Sequence, residues 1–87
     1  MPGVTVVPEP NKPDKSLIEQ MQRCEALAEK AYDEMYDSRY PAGPYSDLKD
    51  FFLAAIVAAR EAGLSEEAER LSKRLEHCKQ VYRSQFT

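Results

Sequence analysis

The chain reads as an all-α protein, an up-down-up three-helix bundle behind an extended proline-rich N-terminal tail. Three observations predict it. Apolar residues recur at helical spacing in three stretches, turn-forming residues separate those stretches, and 31% of the residues are charged while glycine supplies three. Such a charge-rich, glycine-poor composition favours helices over a sheet. Eighty-seven residues make room for a single domain, and the core of so short a chain is small. With no Trp and three Phe, that core must be built from Leu, Ile, Val, Met, Tyr and alanine.

Residues 1–14 form the expected tail. Pro2, Pro8, Pro10 and Pro13 remove backbone donors and hold their predecessors extended. Val4, Thr5, Val6 and Val7 make a short β-prone patch suited to a partner's sheet edge, although a loose tail is the simpler expectation. The bundle occupies residues 15–87, with helices near 16–37, 46–62 and 65–85.

The first helix is expected to begin at Ser16, which with Glu19 has the spacing of a capping box. Leu17, Met21, Cys24, Ala28, Ala31 and Met35 then repeat at alternating steps of four and three, one inward stripe widened by Leu27 and Tyr32. The turn-rich residues 38–44, with Pro41, Gly43 and Pro44, should end it. The second helix is expected from Ser46, with Gly63 as the residue just past its end. The third starts at once, with Ser65 as cap, Glu66 and Glu67 at its positive end, and a stripe of Ala68, Leu71, Leu75, Cys78, Tyr82 and Phe86. Glu66–Arg70 and Glu69–Lys73 have the spacing of favourable intrahelical pairs.

Short connections make successive helices antiparallel. The charges agree: the first helix ends acidic at Glu29, Asp33, Glu34 and Asp37, and the third ends basic at Lys73, Arg74, Lys79 and Arg83. Side by side, the two ends offset one another's unfavourable charges.

The stretch Ala59, Arg60, Glu61, Ala62, Gly63, Leu64, Ser65, Glu66, Glu67, Ala68 resembles the turn of a tetratricopeptide-type helical hairpin. Gly63 and Ala68 keep the spacing, and Phe52 stands near the repeat's large aromatic. The remainder departs from the pattern. Ala59 stands where a tyrosine is expected and Ser72 where a later aromatic is expected, no closing proline follows, and the chain holds one copy. The resemblance implies a tightly turned helix pair and nothing about activity.

A formal net charge of −3 argues against a nucleic-acid partner, which calls for a basic face. The start of the chain shows neither a charged n-region nor an apolar h-region, and the longest apolar run, residues 51–59, is too short to cross a bilayer. No membrane partner and a cytoplasmic location are therefore expected. Cys24 and Cys78 both fall on core stripes and read as buried, reduced, poorly reactive thiols. His77 is placed opposite its helix's core stripe, with no second ligand on its face for a metal. No base with a visible orienting partner stands beside a nucleophile, and paired acids such as Glu66 and Glu67 read as a solvated face. Neither a cofactor nor catalysis is expected.

Two features point to binding. In the second helix, Leu48, Phe51, Phe52, Ala55, Ile56 and Ala59 form the inward arc, while Leu53 and Val57 fall roughly 100° or more from Phe52. They lie among Lys49, Asp50, Arg60 and Glu61, an apolar strip with a charged rim; Leu53, Val57, Lys49 and Arg60 are the candidate interface. The competing account is that this helix sits centrally or is covered by the tail. The second feature is the tyrosine-rich turn, where Tyr36, Arg39, Tyr40 and Tyr45 should meet Tyr82, Arg83 and Phe86. Tyr and Arg suit binding hot spots, while the simpler account is an aromatic plug closing a small core. The expected function is a small cytosolic protein–protein interaction module, a homodimer or accessory subunit acting by binding. The alternative is a small-ligand or regulatory protein using the Tyr/Arg end, and third comes an enzyme whose site the sequence does not display.

Overall fold

The computed structural model describes residues 15–86. The expected tail, its prolines and its Val4 to Val7 patch lie outside the described residues. Within them the protein is an all-α helical bundle of three helices: α1 Lys15–Asp37, α2 Ala42–Glu61 and α3 Ser65–Gln85.

α2 begins at Ala42 and not near Ser46, so Gly43 and Pro44 belong to its first turn. The first amides of a helix have no intrahelical acceptor, so a proline there loses nothing. Pro41 takes the cap position with φ −64°, and the Tyr45 amide closes the first turn on the Pro41 carbonyl at 3.0 Å. The preceding bend is held by the Tyr40 amide donating to Ser38 Oγ at 3.0 Å.

The α2–α3 connection is a Schellman closure. Gly63 has φ +75°, its amide donates to the Arg60 carbonyl at 3.0 Å, and the Leu64 amide reaches the Ala59 carbonyl at 2.8 Å. Leu64 packs against the core and also holds the cap position of α3, where its carbonyl accepts from the Ala68 amide at 2.9 Å. The expected Ser65 cap therefore moves back by one residue. Ser16 likewise lies inside α1 and is not its cap. Glu66 and Glu67 do occupy the first turn of α3.

α2 packs against both neighbours. Met21, Ala28, Ala31 and Met35 of α1 and Ala68, Leu71, Leu75 and Cys78 of α3 bury against its Leu48, Phe52, Ala55, Ile56, Ala58 and Ala59. The alanines let the helices approach while Phe52, Met35, Leu48 and Leu71 fill the interior. Among the described residues no polar or charged side chain is buried. Leu27 is a correction: it is exposed, not part of the core stripe. It lies roughly 80° around α1 from the centre of the buried stripe, beyond what one facing helix covers.

Candidate interaction surface

Tyr45, Lys49, Leu53 and Val57 follow one another at four-residue steps and form a single ridge along α2. Leu53 and Val57 are 52% and 51% exposed. Phe52 and Ile56, one residue before each, are buried. The helical period thus puts the strip on the wet side of the helix that supplies the largest share of the core. Lys49 is half-buried, with Nζ 4.6 Å from the centre of the Tyr45 ring. Arg60, Asp50 and Glu61 are exposed.

The ridge leads into the aromatic end. Tyr45 stacks on Tyr82 of α3, ring centres 3.8 Å apart and planes at 3°. Tyr82 in turn stacks on Phe86 at 5.9 Å, and Phe86 meets the edge of Tyr36 of α1 at 5.3 Å. Tyr36 meets Tyr32 edge-on at 5.4 Å, and their hydroxyls are 3.2 Å apart. Tyr36, Tyr45, Tyr82 and Phe86 are therefore brought together. Arg39 and Tyr40 are exposed, and the Tyr40 ring, 77% exposed, joins none of these ring contacts among the described residues. Arg83 is exposed on the last turn of α3.

A third arrangement is a polar seam between α1 and α3, of which the sequence pointed to Glu29 and Arg74 at the facing helix ends but not to Glu25 and Arg70. The Arg70 guanidinium donates to both Glu25 carboxylate oxygens at 2.7 and 2.9 Å and to Glu67 at 2.7 Å. One turn further, Arg74 grips Glu29 at 2.7 and 2.8 Å and lies 4.8 Å over the Tyr32 ring. The signal was the repeated offset: Glu25 and Glu29 are four apart, as are Arg70 and Arg74. The intrahelical partner of Arg70 is Glu67, three residues before it, and not the expected Glu66. The wet-side pair Glu69–Lys73 forms at 3.2 Å.

These contacts shift several titrations. Arg70's hydrogen bonds hold the Glu25 carboxyl below its ordinary value against the opposing effect of burial. Arg70 and Arg74 are held still more firmly protonated, chiefly by hydrogen bonds to Glu25 and Glu29 respectively. Partial burial, aided by the Tyr36 hydroxyl, pushes the Tyr32 phenol up to about 12. Cys78 is fully buried and its thiol is pushed up by that burial. Cys24 is only half-buried, so the expectation of two sequestered thiols holds for Cys78 alone.

His77 is exposed, in a shallow depression on the outer face of α3 that Glu69, Lys73 and Glu76 also line. Among the described residues no cluster of His, Cys, Asp and Glu has the grouping to hold a metal ion, and no helix is long and apolar enough to cross a membrane. No protein-family model, curated protein or solved structure matches the chain.

Proposed function

We propose that this chain is a small helical protein–protein interaction module of the cytoplasm, a homodimer or accessory subunit that acts by binding. The observation that carries the reading is the ridge on α2. Leu53 and Val57 stand half-exposed at mid-helix, flanked by Asp50, Arg60 and Glu61, none of whose side chains has a hydrogen-bond or ion-pair partner among the described residues. Elsewhere Glu25, Glu29 and Glu67 pair with arginines and Glu69 and Glu76 with lysines. An apolar pair inside a rim of uncommitted charge is the anatomy of a small contact surface.

The helices are taken to run up-down-up. Two features support this order: Glu25 with Arg70 and Glu29 with Arg74 keep the same sequence offset, and Tyr36 near the end of α1 meets Phe86 at the end of α3. That order leaves the outer side of α2 free along its length. A ligand site at the Tyr/Arg end has less support, because Tyr45, Tyr82 and Phe86 spend their faces on one another.

The test is the double substitution Leu53→Gln with Val57→Gln. Both residues are half-exposed, so far-UV circular dichroism and the melting temperature should be retained. Solution mass, or retention of a co-purifying partner, should fall. An assembly that survives the double change with the same affinity means that α2 is not the contact surface.

A further inference from the structure

We draw no further inference here: the strongest candidate, the half-exposed face of α2 that carries Leu53 and Val57, adds nothing to the reading above, because nothing in the structure shows what covers it.

Discussion

Tyr45 and Tyr82 lie face to face with ring centres 3.8 Å apart, which ties the first turn of α2 to the last turns of α3. Each is partly buried, and each passes the contact on: Tyr45 to the Lys49 ammonium, Tyr82 to Phe86. The end of the bundle is therefore closed by rings and not by a loop. Tyr82→Ala should destabilise the protein by about 2–3 kcal/mol, less than a fully buried aromatic costs. Tyr40→Ala, at 77% exposure, should be close to neutral. Urea unfolding of the two variants separates them, and equal costs would mean that the stacked end does not hold the fold.

The α1–α3 seam predicts a pH dependence. The Glu25 carboxyl is held below its ordinary value of 4.5, chiefly by hydrogen bonds from Arg70. A carboxyl depressed in the folded state contributes stability that is fully present above the unfolded value. That contribution is lost as pH falls through the lower folded value. Both side chains are partly exposed, 47% for Arg70 and 25% for Glu25, so solvent screening keeps the effect small. Glu25→Gln should cost about 0.5–1 kcal/mol at pH 7. The difference between wild type and variant should shrink from pH 7 to acid pH, as the wild-type carboxylate is protonated below its ordinary value and through the lower folded one. Chemical denaturation at the two pH values measures it. A cost that persists undiminished in acid would show that the contact is not ionic.

The two cysteines should separate cleanly. Cys78 is fully buried and its thiol is pushed up, so little thiolate forms and no reagent reaches it without an opening of the bundle. Cys24 is half-buried and open to solvent on one side. Timed alkylation followed by mass spectrometry should show one fast and one slow site, the fast one at Cys24. Comparable rates at both would mean that α3 opens easily.

The fold was legible because it rests on periodicity. The stripes from Met21 to Met35 and from Ala68 to Cys78 face inward as their spacing dictates, and Leu53 and Val57 face out for the same reason. What the sequence misplaced was the start of α2. The prolines at 41 and 44 read as a loop, yet a first turn needs no donors there, so α2 accepts them. Of the polar seam, the charges of Glu29 and Arg74 were legible, but the Glu25 pair escaped notice because an intrahelical pairing at four-residue spacing was the nearer explanation for Arg70. Its guanidinium instead bridges Glu67 and a carboxylate on another helix. Leu27 shows the limit of a stripe: periodicity gives a helix face its direction, but the number of neighbouring helices decides how wide a face is covered.

The glycines offer the sharpest test of the turn. A Cβ added at Gly63 or at Gly43 would meet nothing within 4 Å, so packing does not distinguish the two positions. Backbone conformation does. Gly63 has φ +75°, the left-handed geometry that lets its own amide and that of Leu64 close α2, and an L side chain there is strained by about 1–2 kcal/mol. Gly43 lies in the first turn of α2 with no positive φ. Alanine there restricts the unfolded chain and suits the helix, a gain of about 0.4–1 kcal/mol. Gly63→Ala should therefore lower the melting temperature while Gly43→Ala raises it, although the two changes are chemically identical. If both variants moved in the same direction, the hairpin would not depend on the left-handed residue, and the Schellman closure between α2 and α3 would have to be abandoned.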